Sequence, residues 1–182
     1  MTTGGSGARV VVLSLGSNLG DRLKHLQLGL SIVCGAGLTC QGVSSVFETD
    51  PVGGPAQDNY LNVVLLARSA LPASDILARC QAAESAAGRV RAERWGPRTL
   101  DVDIIASGEE ISERPGLVLP HPRAHERAFV LVPWLELDPD ASLPGHGRVA
   151  QLAASAQLAG IRRRPELRLA LPACASQEGA GR

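Results

Sequence analysis

Two aspartates stand two residues apart in an alternating run, Leu100-Asp101-Val102-Asp103-Ile104. On a strand, a period of two turns both carboxylates to one face. Carboxylates that close repel unless a positive charge lies between them. A divalent cation answers that need, and magnesium is typically held by one or two carboxylates together with the phosphates of a substrate. Two such ions can bridge a triphosphate and neutralise the charge that develops on a leaving group. Immediately upstream come Arg89, Arg91, Arg94 and Arg98. A guanidinium grips phosphate oxygens in a bidentate fork and keeps its charge near neutrality. Carboxylates for metal beside arginines for phosphate is the division of labour that phosphoryl-type transfer requires. The competing reading is a solvated arginine loop neutralised by Asp101, Asp103, Glu84 and Glu93. Each signal is weak alone, and only their adjacency favours a site.

Other placed groups extend the picture. Gly16-Ser17-Asn18-Leu19-Gly20 follows an apolar run and precedes a helical stripe. Such a turn can offer backbone N–H groups to an anion, but plain turn chemistry is the favoured reading, and no Gly-Lys-Ser/Thr follows to make a Walker loop. His121 lies in Leu119-Pro120-His121-Pro122, with Arg123, His125 and Arg127 close behind. It is either a structural loop histidine or a phosphate contact. Aromatic residues make up only 3% of the chain, so Tyr60, Trp95 and Phe129 draw notice as faces for a flat heterocycle, with core packing as the alternative. Asn62, two beyond Tyr60, can read a ring edge through its amide.

These residues need elements to hold them. Val10 to Leu15 reads as a buried strand, and Leu23, Leu26 and Leu30 continue as a helix capped by Asn18 or Asp21 and stopped at Gly35-Ala36-Gly37. Leu38 to Thr49 reads as a second strand, Asp50 to Asp58 as a loop, and Tyr60 to Ala67 as a third strand. Pro72 opens a second helix that ends near Gly88, and Leu100 to Ala106 forms the fourth strand. The β-α-β-β-α-β order predicts an α+β fold with a ferredoxin-like βαββαβ core: an antiparallel sheet with helices packed on it. A C-terminal extension follows, with a hairpin over 109–119, a helical stretch from Arg127 to Leu137 and a helix from Val149 to Ala159. We expect one domain over 1–160 and a basic, then small and polar tail over 161–182, partly disordered.

Composition narrows the class. Lys and Arg total 18 and Asp and Glu total 18, so the chain has no global field to hold a polyanion. That argues against a dedicated nucleic-acid or membrane-surface binder. Cys34, Cys40, Cys80 and Cys174 form no CxxC pair and no zinc spacing, and they read as free thiols in a reducing cytosol. The N-terminus lacks an apolar signal core, and Val10–Leu15 is too short to cross a bilayer. A soluble, cytoplasmic protein is expected.

Five ordered segments carry a resemblance: Leu15-Gly-Ser-Asn-Leu-Gly20, Phe47-Glu-Thr-Asp-Pro-Val-Gly53, Asn59-Tyr-Leu-Asn62, Arg94-Trp-Gly-Pro-Arg-Thr-Leu-Asp-Val-Asp-Ile-Ile105, and Leu119-Pro-His121 with Arg127-Ala-Phe129. From about Val10 to Pro139 the chain resembles the 6-hydroxymethyl-7,8-dihydropterin pyrophosphokinases of folate biosynthesis. The resemblance implies transfer of the β,γ-pyrophosphoryl group of ATP to the pterin hydroxymethyl oxygen, with AMP left behind. It implies that Asp101 and Asp103 bind two magnesium ions and that Arg91 and Arg98 hold the phosphates, these four being the catalytic set. Arg89 and Arg94 lie nearby, Glu84, Ile104, His121 and Arg127 lie at the nucleotide, and Trp95 closes over the site. Tyr60 and Phe129 stack the pterin, while Asn62 and the backbone of Thr49, Asp50 and Val52 read its edges. The Arg89–Arg94 loop is one residue shorter than the family's form, and Arg114 is the candidate to replace basic residues the family carries before His121.

As a mechanism we expect the hydroxymethyl oxygen to attack the β-phosphorus in line, with magnesium to acidify the hydroxyl and Asp103, on the metal face, as the candidate acceptor of its proton. Positioning and charge neutralisation supply most of the rate. ATP and the pterin are the expected partners, with no nucleic acid and no membrane, and a monomer is expected. The rivals are another magnesium-dependent phospho- or nucleotidyltransferase on this sheet, an RNA-binding module, and a pterin binder without turnover. The Val- and Leu-rich strands disfavour the RNA module, and intact Asp101, Asp103 and Arg98 disfavour the inert binder.

Overall fold

The computed structural model describes residues 7–35, 37–51, 56–88 and 97–172. Strand β1 (Arg9–Ser17) opens the chain and leads into helix α1 (Arg22–Val33). Asp21 caps the helix by accepting a hydrogen bond from the Lys24 N–H at 3.1 Å, and Leu26, Gly29, Leu30 and Val33 form its buried stripe. Strands β2 (Leu38–Val43) and β3 (Phe47–Thr49) follow, then β4 (Tyr60–Ser69). Helix α2 (Ala73–Ala86) starts after Pro72 and buries Ile76, Cys80 and Ala83, and β5 (Asp101–Ser107) completes the core repeat.

The second predicted strand is thus two. Both pair antiparallel with β4, β2 along Leu65–Ser69 and β3 along Tyr60–Asn62. At the break, the Ser44 N–H donates to the Val64 carbonyl at 2.9 Å and the Val64 N–H donates to the Ser44 hydroxyl at 3.0 Å. A side chain takes over where the ladder carbonyl would stand, so the strand bends without orphaning a backbone donor. β1 lies between β4 and β5 and pairs antiparallel with both. The β2/β3–β4–β1–β5 order is the antiparallel arrangement expected from the βαββαβ reading.

The sheet is covered on both faces. On one face Val11, Leu13, Leu15, Leu61, Val63 and Leu65 pack against α1 and α2. Each fully buried leucine there contributes about 2 kcal/mol relative to exposure. The hairpin β6 (Ser112–Arg114) and β7 (Leu117–Leu119) falls inside the predicted 109–119. A 3-10 turn (Ala124–Glu126) and α3 (Ala128–Leu137) come next. The small hairpin β8 (Ser142–Leu143) and β9 (Gly147–Arg148), which the sequence did not announce, leads into α4 (Val149–Ser155). From α3 and α4, Val130, Leu131, Trp134 and Val149 cover the other face over Val12, Val64 and Ile105. Helix α4 ends earlier than predicted, where Ala156 turns to an extended backbone with ψ of 152°. Beyond it, Ile161–Arg163 forms β10, which pairs antiparallel with β3 and adds a sixth strand to the sheet.

The cysteine expectation needs correction. Cys34, at the end of α1, and Cys40, in β2, are joined as a disulfide with Cα atoms 5.8 Å apart. The turn between them folds back on itself through the Gly35–Leu38 bridge. Spacing alone carries no sign of that approach. Cys80 is a buried free thiol, pushed up to about 12 by burial first and then by the charges of Glu84 and Asp103. Cys174 lies outside the described residues.

Candidate active site

Strand register builds the floor of the site. Gly16 on β1 pairs with Asn62 on one side and Asp101 on the other, and Ser14 pairs with Asp103. Thr49 on β3 pairs with Tyr60. By period two, Ser14, Gly16, Thr49, Tyr60, Asn62, Asp101 and Asp103 share the sheet face that α3 and α4 cover. They gather at the end where β1 and β3 finish and β4 and β5 begin. There a cavity of about 750 Å³ opens, lined by these residues together with Asp50, Arg98, His121, Arg127 and Phe129. One strand spacing separates Gly16 from each neighbour, so Asn62 and Asp101 stand about 10 Å apart across it. That leaves room for a flat bicyclic ring beside a metal–phosphate group.

The acidic side is neutralised by arginines. Arg98 Nη1 lies 2.8 Å from Asp101 Oδ2, and Arg127 Nη1 lies 3.2 Å from Asp103 Oδ2. The Asp103 carboxyl is held above its ordinary value by burial first and then by the Asp101 charge, against the opposing pull of His121 and Arg127. Burial thus outweighs the two guanidiniums in setting the Asp103 carboxyl. His121 is pinned by its main chain, whose N–H donates to the Ile105 carbonyl at 2.9 Å. Its Nδ1 accepts from the Arg123 N–H at 3.1 Å. Its Nε2 lies between Arg127 Nη1, a donor at 3.4 Å, and Asp103 Oδ2, an acceptor at 3.6 Å, so the ring bridges the guanidinium and the carboxylate. Burial is the main cause that holds the His121 pKa below its ordinary value; Asp103 opposes this and Arg127 reinforces it. The ring is therefore neutral at physiological pH.

The loop that carries Arg98 is fixed by Asn18. The buried Asn18 Oδ1 accepts from the Arg98 N–H at 2.7 Å, and the Asn18 N–H donates to the Arg98 carbonyl at 3.1 Å. Its Nδ2 donates to Gln57 Oε1 at 2.9 Å and to the Asp58 carbonyl at 3.1 Å. One side chain thus ties the approach to β5 to the approach to β4. The turn Gly16–Gly20 serves this local bonding and offers the Asn18 N–H to protein. Replacing Asn18 by Ala removes three part-buried side-chain hydrogen bonds at once. The expected loss is about 2 kcal/mol of stability, read by chemical denaturation, with weaker ATP binding alongside.

On the neutral side, Asn62 Nδ2 donates to Thr49 Oγ1 at 2.7 Å and the Tyr60 hydroxyl lies 3.5 Å from Gln57 Oε1. Phe129, at the start of α3, has the Arg127 guanidinium 5.6 Å from its ring centroid. Gly16 must be glycine here: a Cβ would lie 2.9 Å from Asn62 Oδ1 and 3.7 Å from Tyr60 Cδ1. Asn62 is buried and already bonded to Thr49, so it cannot swing aside. Gly16→Ala should therefore weaken ligand binding on this side about tenfold, measured by equilibrium titration, with a smaller effect on ATP.

Some predicted residues stand elsewhere. Glu84 is buried on α2 and accepts from the Val102 N–H at 2.9 Å, holding β5, and Ile104 packs in the α1/α2 core. Neither lines the cavity among the described residues, because period two turns Ile104 to the face opposite Asp103. Arg114 on the β6–β7 hairpin also lies away from it. Val52, Arg89, Arg91, Arg94 and Trp95 lie outside the described residues. Sequence reasoning missed Ser14, Gly16, Gln57, Arg123, Gln157 and Gly160 as lining residues. The parity of β1 against Asp101 and Asp103 would have found the first two.

Comparison with known proteins adds to this geometry. The family model described as 7,8-dihydro-6-hydroxymethylpterin-pyrophosphokinase matches residues 12–139, more than half of the chain. The chain is 50% identical over 153 residues to the 2-amino-4-hydroxy-6-hydroxymethyldihydropteridine pyrophosphokinase of Mycobacterium leprae, covering 78% of each. It is 40% identical over 129 residues to the enzyme of that name from Bacillus subtilis, covering 70% of this chain and 77% of that one. Among solved structures, Plasmodium falciparum HPPK-DHPS shares the fold with a TM-score of 0.61 at 12% identity. The match covers 81% of this chain and 44% of that longer one.

Proposed function

The chain belongs to the 7,8-dihydro-6-hydroxymethylpterin-pyrophosphokinase family, and from that premise we propose that it transfers the pyrophosphoryl group of ATP to the hydroxymethyl group of 6-hydroxymethyl-7,8-dihydropterin, releasing AMP, in folate biosynthesis. One observation carries the reading. A single cavity joins an acidic, arginine-lined side to a neutral side with an aromatic and a buried amide, separated only by the bare backbone at Gly16.

The donor set fits magnesium. Asp101 and Asp103 offer hard oxygen ligands on one face, close enough that the Asp101 charge adds to burial in raising the Asp103 carboxyl. Bound there with ATP, magnesium would neutralise charge on the transferred and leaving phosphates. Arg98 and Arg127 would turn from the carboxylates to phosphate oxygens, each offering a preformed fork. His121 would stand beside Arg127 against the phosphates. Tyr60, Asn62 and Phe129 would orient the pterin, with the Thr49 and Asp50 backbone at its edge, so that its hydroxymethyl oxygen lies in line with the β-phosphorus. Asp103 would accept the hydroxyl proton. Arg89, Arg91, Arg94, Trp95 and Val52 would complete the site from the neighbouring loops.

We expect the enzyme to act on small molecules alone, as a cytoplasmic monomer without nucleic acid or membrane. A neutral net charge supports this, and no helix among the described residues is long and apolar enough to cross a membrane. AMP formation should require ATP, a divalent cation and the pterin together. Chelation by EDTA should stop it and excess magnesium restore it. Turnover that persists under chelation would overturn the metal assignment.

A further inference from the structure

The residues that follow α4 lie beyond the stretch that the family model matches, residues 12–139, yet Gln157, Gly160 and Ile161 line the same cavity as Thr49 and Tyr60. β3 is three residues long and would present an open edge on the side away from β4. β10 closes that edge, pairing Ile161 with Thr49, Arg162 with Glu48 and Arg163 with Phe47. Three successive arginines then take three carboxylates: Arg162 holds Asp50 at 2.8 Å, Arg163 holds Glu136 of α3 at 3.1 Å, and Arg164 holds Glu48. Further on, Leu167 and Leu169 pack against the main core, and Gln27 of α1 exchanges two hydrogen bonds with the Ala170 main chain.

We propose that this C-terminal strap is a positioning element for the acceptor, setting the Thr49–Asp50 wall of the cavity, with Gly160 as its determining residue. The proposal rests on the reading that this side of the cavity takes the pterin ring. The ion pairs cannot be the main device. Arg162 and Asp50 are 48% and 58% exposed, and pairs that exposed contribute little. Gly160 differs in kind. Its carbonyl accepts the Asp50 N–H at 3.3 Å, and its backbone has φ of +80°. A Cβ there would lie 2.6 Å from Asp50 Oδ2 and 3.0 Å from Asp50 Cγ. A Cβ there must displace the Asp50 carboxylate from Arg162, and with φ at +80° it also strains the backbone whose carbonyl takes the Asp50 N–H, the link that sets the Thr49–Asp50 wall.

Steady-state kinetics with ATP and 6-hydroxymethyl-7,8-dihydropterin test this. Gly160→Ala should raise the pterin KM about tenfold, with kcat and the ATP KM changed by less than about twofold. Gly145→Ala is the control: φ is +73° and nothing lies within 4 Å, so it carries the same backbone strain away from the site. It should leave the pterin KM unchanged. Arg162→Ala should raise the pterin KM about threefold, and it decides the matter if Gly160→Ala fails to fold. An unchanged pterin KM in the folded variants, or equal losses for pterin and ATP, would overturn the proposal. A wild-type protein that makes no AMP from this pterin would instead overturn the functional reading.

Discussion

Asp103→Asn should lower kcat about a thousandfold while leaving the protein folded and no less stable at neutral pH. The loss follows from the proposed roles, since an amide is a poor magnesium ligand and cannot take the hydroxyl proton. The stability result follows from the folded state. Burial and the Asp101 charge raise the Asp103 carboxyl above its ordinary value. Between the ordinary value and the raised one, the folded chain binds more protons than the unfolded chain. Stability is therefore fully present below that window and falls as pH rises through it. At neutral pH the ionised carboxylate is a net burden, and the amide removes it. The asparagine variant should show a flatter decline in Tm from acid to neutral pH than the wild type. A marked drop in Tm at neutral pH would mean that the Arg127 contact outweighs the repulsion.

Arg98→Ala should reduce kcat about a hundredfold and raise the ATP KM. Arg98 is held at the cavity by two main-chain bonds to Asn18, so its guanidinium is aimed before any ligand arrives. Losing it removes a phosphate contact and also leaves Asp101 without the Nη1 partner now 2.8 Å away. Arg98→Lys should recover only part of the rate, because an ammonium keeps the charge but not the planar fork. Stability should change little, since the pair is about a quarter exposed and such pairs contribute about 1 kcal/mol or less. Turnover equal to wild type in Arg98→Lys would show that charge alone suffices.

Much of this arrangement could be read from local sequence. The Leu100–Ile105 alternation placed Asp101 and Asp103 on one face, and Tyr60 and Asn62 shared a face by the same rule. The βαββαβ order followed from period changes and turn residues. What was illegible depends on contacts between distant residues. Asn18 reads as a turn or cap residue until its partner, 80 residues away at Arg98, is brought beside it. Glu84 reads as a ligand-facing carboxylate until α2 lays it against the edge of β5. Cys34 and Cys40 have no recognisable spacing, and their approach depends on the turn after α1. The residues after α4 look like a basic tail because the carboxylates that take Arg162, Arg163 and Arg164 come from β3, the residue after it, and α3.

The fate of each ATP phosphorus tests the central claim most directly. ATP labelled separately at the α, β and γ phosphorus would be incubated with the protein, magnesium and 6-hydroxymethyl-7,8-dihydropterin. The β and γ labels should appear together and in equal amounts in the pterin product, with the α label only in AMP. Recovery of the γ label alone in the product, with ADP left behind, or of the α label in the product, would contradict it.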